Sequence, residues 1–313
     1  MNNMQSERRV ADGERRRLVV FPCCGLCNRI QVVACATLLA ADTDRELFVN
    51  WLPRHDCGAA YEDVFLPGVQ ALEDLPADTV SYSSVQRHPA VAPERYASFL
   101  GESANERFSG IRKDRSATLA LFSCHQFLGY FHDPRFGPAV RELCRQVRPD
   151  ISQVVQAFRE RWFAPHTVGV HIRRGDWRSQ QNLDFYLKSM RQAGDVGFFV
   201  STDEPEIFEI VRQHFPRAVR YPAPSLQRGD AGAVRDAMVD VLLLASTSYL
   251  VGTPGSSFSA IAQIIGDIPG NFDYGYSLSR RDLQLGNLDN PAKVLWGRVR
   301  RRLRLRSKPV ISR

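Results

Sequence analysis

The chain has 313 residues, 44% hydrophobic and 24% charged, the profile of a globular protein with room for two ordinary cores. Its net charge of +7 belongs to the last segment: from Pro291 onward there are two lysines, seven arginines and no acid, so the rest of the chain is slightly acidic. With no helix-turn-helix pattern, no aromatic RNA-binding motif and no apolar run long enough to span a bilayer, nucleic-acid partners and an integral membrane protein are excluded.

The opening stretch, Met1–Arg17, is polar, carries five arginines and lacks the apolar core and cleavage site of a signal peptide, so the expected location is a bacterial cytoplasm. Arg17-Leu-Val-Val-Phe-Pro22 reads as a strand. A tight turn at Gly25 follows it, and a helix from about Asn28 carries Ile30, Val33, Ala34, Thr37 and Leu38 at helical spacing. Leu47–Trp51 reads as the next strand, closed by Pro53, and a strand–helix–strand order predicts a parallel pair with a crossover. Glu73–Ser116 is weakly patterned and expected to be loop-rich; Thr118–Cys124 reads as a buried strand and Pro138–Arg145 as a helix.

A boundary is expected across Pro149–Pro165. Beyond it the alternation is clearer. Strands are expected at Thr167–Ile172, Gly197–Ser201, Ala218–Tyr221 and Tyr249–Val251, with helices at Asn182–Arg191, Glu204–His214, around Val234–Ala245 and at Ser256–Ile265. This order predicts a doubly wound α/β domain. The expected organisation is an N-terminal α/β domain over 17–150, a second over 151–285, and a basic tail over 286–313.

Seven cysteines in apolar surroundings read as reduced thiols. Cys24-Gly-Leu-Cys27 has the CxxC form, but no second CxxC or CxxH pair accompanies it as a zinc site requires. The single Asp-x-Asp, Asp42-Thr-Asp44, falls between a helix end and the start of a strand, away from any strand's C-terminal end, and reads as a solvated turn rather than a metal site. No GxGxxG or P-loop motif is present, which argues against a dehydrogenase or a kinase.

In an open parallel sheet, ligands bind beyond the C-terminal ends of the strands. Three polar clusters fall at such ends: His171-Ile-Arg-Arg-Gly-Asp176, Ser201-Thr-Asp203 and Gly252-Thr-Pro-Gly-Ser-Ser-Phe-Ser259. Adjacent arginines offer guanidinium forks to a pyrophosphate. Ser256 and Ser257 open a helix whose free N–H groups suit a phosphate oxygen. Asp203 has the acceptors for the ring N–H and amine of a guanine. Any one cluster is equally well read as a surface turn; their convergence on one crevice is the argument.

These clusters, with Gly25-Leu-Cys-Asn-Arg29, resemble the donor-site motifs of the GDP-fucose-dependent fucosyltransferases that include the nodulation, α1,2-, α1,6- and protein O-fucosyltransferases. The nodulation type is nearest, since Trp51, Cys57 and Val64-Phe65 are also similar there. The resemblance spans Arg17 to about Gly270. It implies an α/β, GT-B-like fold, two Rossmann-like domains facing a cleft, with the donor held by the second. It implies transfer of fucose from GDP-fucose to a glycan hydroxyl with inversion, no cofactor and no metal. By motif match Arg173 would neutralise the β-phosphate, and His171 with Asp203 would contact ribose or base. Ser256, Ser257 and Phe258 would hold phosphate and guanine, and Asn28 would reach across the cleft. Arg174 either joins the donor site or supports the fold through a buried acid.

Two features depart from the family pattern. Cys27 stands where the turn usually has glycine. The α1,6-type carboxylate after the arginines has no counterpart in Trp177-Arg-Ser-Gln-Gln-Asn182, which leaves Asp176 and Asp184 as the nearest acids and Asp176 as the candidate catalytic carboxylate. Another nucleotide sugar as donor, or a non-catalytic nucleotide-sugar-binding protein, are the alternatives. In the tail, Leu295, Trp296, Val299 and Leu303 at helical spacing among arginines suit either a solvated charge run or a basic amphipathic helix on an anionic bilayer, where a lipid-linked acceptor would lie.

Overall fold

A computed structural model of the chain describes residues 15–83, 108–174 and 182–270. Two four-stranded parallel sheets organise them. The first holds β1 (Arg17–Pro22), β2 (Glu46–Val49), β3 (Val80–Ser83) and β4 (Thr118–Ser123) in the order β2-β1-β4-β3. The Leu-Val-Val-Phe run of β1 is apolar and β-branched on both faces, as a strand covered on both sides must be. The second sheet holds β5 (Val168–Ile172), β6 (Phe198–Thr202), β7 (Ala218–Val219) and β8 (Tyr249–Val251) in the order β7-β6-β5-β8.

On the first half, α1 (Leu26–Thr43) crosses from β1 to β2, with the short α2 (Tyr61–Val64) and α3 (Phe136–Arg145) after it. On the second, α4 (Pro149–Trp162), α5 (Leu183–Ala193), α6 (Pro205–His214), α7 (Ala231–Ala245) and α8 (Ser257–Gly266) surround the sheet. The outer face of that sheet packs Val168, Val170 and Ile172 against Tyr186 and Met190 of α5 and Ile207 and Val211 of α6. Its inner face turns toward α7 and α8, which pack in turn on α1 and α3. One apolar cluster therefore runs from Leu18 and Leu39 through Val140 to Leu243 and Ile261, and the two sheets share it.

Pro149–Pro165, where the boundary is expected, is largely the 14-residue helix α4: Pro149 occupies the first helical turn, where its missing N–H costs nothing, and Ile151 and Val155 are buried. Two sequence expectations shift. The stretch expected to be loop-rich contributes edge strand β3, hidden in the sequence by its serines. The helix expected near Asn28 begins at Leu26. Cys27 is thus an ordinary helical residue, and the sharp turn is made by Cys24, whose φ of 65° is left-handed. Among the described residues no helix is long and apolar enough to cross a membrane.

Candidate active site

The C-terminal ends of β5, β6 and β8 meet as the strand order requires: His171 lies beside Ser201 in register, and Val170 beside Val251. Thr253, fully buried, is the knot between them. Its hydroxyl donates to the His171 carbonyl at 2.8 Å, accepts from the Arg173 N–H at 3.0 Å, and meets the Tyr186 hydroxyl at 2.9 Å. Its only hydroxyl proton being used at His171, the Tyr186 hydroxyl is the donor in that last contact.

His171 is 5% exposed, its Nδ1 2.7 Å from the Ser259 hydroxyl and its ring stacked on Phe258 at 4.7 Å between centroids. Ser259 also accepts the Thr253 N–H at 3.0 Å. Burial, reinforced by the charge of Arg173, pushes the His171 pKa down to about 3, so the imidazole is neutral. Phe258 is thus the lining of His171. Gly255 turns the chain with φ of +73°, and Ser256 follows as the residue preceding α8. The Ser256 hydroxyl is buried and has no hydrogen-bond partner, and it makes no cap for its own helix. Ser257 opens α8 with the unpaired backbone donors of a helix start beside it.

Arg173 leaves β5 half-buried, and its charge is felt by the Cys27 thiol on the first turn of α1. Asn28, the next residue of α1, is half-exposed. Arg174 is exposed; its N–H donates to Asp203 Oδ1 at 3.0 Å and its Nε lies 3.7 Å from Glu204. The pairing of Arg174 with a buried acid is therefore corrected: Glu204 is an exposed partner, and Asp203 braces the backbone of the arginine loop. Asp176 lies outside the described residues.

Asp240 of α7 is the group that sequence reasoning missed. It accepts from the Ser201 hydroxyl at 2.7 Å, while its other oxygen is buried with no hydrogen-bond partner. Burial pushes its pKa up to about 7, against the opposing pull of Ser201 and Arg220. Its signal in the sequence was a lone acid inside Val239-Asp-Val-Leu-Leu-Leu244. Arg29 was also passed over. It is fully buried, donating to the carbonyls of Cys24 at 2.8 Å and Leu52 at 2.7 Å and to Asp56 at 3.3 Å, and it fixes the turn before α1. The Asp-x-Asp is exposed at the end of α1, as expected of a solvated turn, and both acids are engaged: Asp42 accepts two bonds from Arg135 and one from Tyr130 at 2.7 Å, and Asp44 caps α1. Among the described residues no group of three or more His, Cys, Asp or Glu is placed to hold a metal ion.

Two parallel α/β sheets that share one apolar cluster match a GT-B-like fold. No protein-family model matches the sequence, and neither does any curated protein. Solved structures do match the fold. NodZ α-1,6-fucosyltransferase soaked with GDP-fucose aligns over 82% of this chain and 94% of its own, with a TM-score of 0.58 and 21% identity. NodZ from Bradyrhizobium gives 0.59 and 22% over the same share of each chain. More distant are a mutant of Arabidopsis thaliana FUT1 in complex with GDP, at 0.56 and 16% identity over 83% of this chain and 71% of that one, and POFUT1 in complex with GDP-fucose, at 0.53 and 12% over 84% and 99%.

Proposed function

We propose that the chain is a glycosyltransferase that moves fucose from GDP-fucose to a glycan hydroxyl, with inversion and without a catalytic metal. The observation that carries this reading is the gathering of Arg173, the unpartnered Ser256 hydroxyl and the unpartnered Asp240 carboxylate oxygen around one set of strand ends. That set supplies a cation for a pyrophosphate, a hydroxyl and helix-start N–H groups for a phosphate oxygen, and a buried acceptor for the two donors on a guanine edge. The likeness in fold to NodZ and POFUT1, each solved with GDP-fucose, supports the choice of donor.

In this reading His171, its Nδ1 held by Ser259, turns Nε2 to the ribose or base beside Asp240. Asp203 holds the arginine loop in register, and Asn28 reaches the donor from α1. As the bond from the anomeric carbon to GDP breaks, the negative charge that builds on the diphosphate is met by the Arg173 guanidinium and the start of α8. The acceptor hydroxyl attacks the opposite face, and Asp176 takes its proton. Asp42, committed to Arg135 and Tyr130, is not offered to a metal. The basic tail, outside the described residues, is assigned to the anionic cytoplasmic face of the inner membrane, where lipid-linked glycan acceptors are presented.

The test is incubation of the purified chain with GDP-fucose and a panel of glycan acceptors. Acceptor-dependent GDP release that persists in excess EDTA is expected. A complete loss on chelation, restored by Mg²⁺ or Mn²⁺, overturns metal independence; thermal stabilisation by UDP or TDP but not GDP overturns the donor. Flotation on anionic liposomes should require the segment after Asn290.

A further inference from the structure

Five of the seven cysteines, Cys23, Cys27, Cys35, Cys57 and Cys144, are buried; the two with partial exposure are Cys24 and Cys124. These two come together although one hundred positions separate them in the chain: β1 and β4 are parallel neighbours, Pro22 is in register with Ser123, and the Cys23 N–H donates to the Ser123 carbonyl at 2.8 Å. Both cysteines follow the C-terminal ends of these interior strands; Cys124 comes opposite Cys23, one residue before Cys24, and the Cys24 and Cys124 thiols share a hydrogen bond. The left-handed backbone of Cys24, whose carbonyl is held by Arg29 at 2.8 Å, fixes that meeting. On its other side Cys124 Sγ lies 3.0 Å from Nδ1 of His125.

We propose that Cys24 and Cys124 are a nucleophilic and a resolving thiol that a small-molecule disulfide converts to an intramolecular disulfide. The Cys24 thiolate attacks one sulfur of the disulfide, forming a mixed disulfide and releasing one thiolate. The Cys124 proton then passes to the released thiolate, and the Cys124 sulfur attacks Cys24, breaking the mixed disulfide and releasing the second thiolate. Two protein thiols are oxidised, one disulfide is reduced to two thiols, and the protons end on the released thiolates. The electrostatics agree with this division of roles. The hydrogen bond from Cys124 lowers the Cys24 pKa to about 7, whereas burial raises those of Cys23, Cys35 and Cys144 to about 12.

The probe is oxidised glutathione, applied to the folded full chain, followed by acid quenching, alkylation of the remaining thiols and peptide mapping. A peptide linked through Cys24 and Cys124 is expected, with five thiols left free and all seven recovered on reduction by dithiothreitol. Cys124→Ser keeps a hydroxyl donor but cannot resolve, so one glutathione should accumulate on Cys24. Cys24→Ser should carry neither adduct nor bridge. Iodoacetamide should alkylate Cys24 with a midpoint near pH 7, moved upward in Cys124→Ala. Adducts spread evenly over the cysteines, or a Cys24 that stays unmodified in Cys124→Ser, would overturn the proposal.

Discussion

Donor binding should depend on pH through Asp240. In the free protein its carboxyl is half-protonated at about pH 7, because burial opposes the charge more than Ser201 and Arg220 support it. A guanine edge presents two donors and no acceptor to that oxygen, so it selects the ionised form. Affinity should therefore be at its full value above about pH 8 and fall as pH drops through 7. Each unit below 7 costs about 1.4 kcal/mol, so the dissociation constant should rise about tenfold between pH 8 and pH 6. GDP-fucose is the ligand to use, since its diphosphate diester does not titrate in this window. His171, with a pKa of about 3, does not titrate there either. Cys24 does, and Cys24→Ser should leave the slope unchanged. Calorimetry from pH 5.5 to 8 gives the curve, and Asp240→Asn should flatten and weaken it. A wild-type affinity that stays constant across the range, with the fold intact by circular dichroism, refutes Asp240 as the guanine acceptor.

Other outcomes follow from named contacts. Arg173→Ala, and also Arg173→Lys, should abolish most transfer while thermal melting stays near wild type, because a point charge does not replace a two-pronged fork. Arg29→Met should destabilise the fold by about 3 kcal/mol or more in urea titration, since it strands the Cys24 and Leu52 carbonyls and the Asp56 carboxylate. Gly58→Ala should lower the melting temperature: a Cβ there would sit 2.1 Å from the Gly229 carbonyl oxygen, and both atoms belong to backbone. Acid should destabilise the protein through His171. Its folded pKa lies below the ordinary 6.5, so its contribution is complete above pH 6.5 and is lost as pH falls toward 3, which His171→Asn would reduce in acid melts.

The strand ends were legible because a parallel sheet sends every C-terminal end the same way, so polar residues directly after an apolar run mark the crevice without knowledge of any contact. His171, Arg173, Asp203 and Ser256 were singled out on that rule. Asp240 was not, because a single acid in an apolar helical run carries no local sign of which face it occupies; its partner Ser201 lies 39 residues away. Arg29 hid for the same reason: its three acceptors come from a turn, a loop and a side chain brought together only by folding. Asp42 does face solvent, but its ion pair was not legible because Arg135 is 93 residues distant. Periodicity reports the faces of one element and is silent on pairs made between elements.

The apolar cluster common to both sheets makes the cleft a welded joint rather than a hinge. Swinging the halves apart would uncover side chains such as Leu39, Leu243 and Ile261, all fully buried, at roughly 2 kcal/mol each. Three of them alone would hold a gaping form to about one molecule in ten thousand. Nucleotide traffic in such a body must go past loops at the rim, and X-ray scattering should record the same radius of gyration with the donor bound as without it.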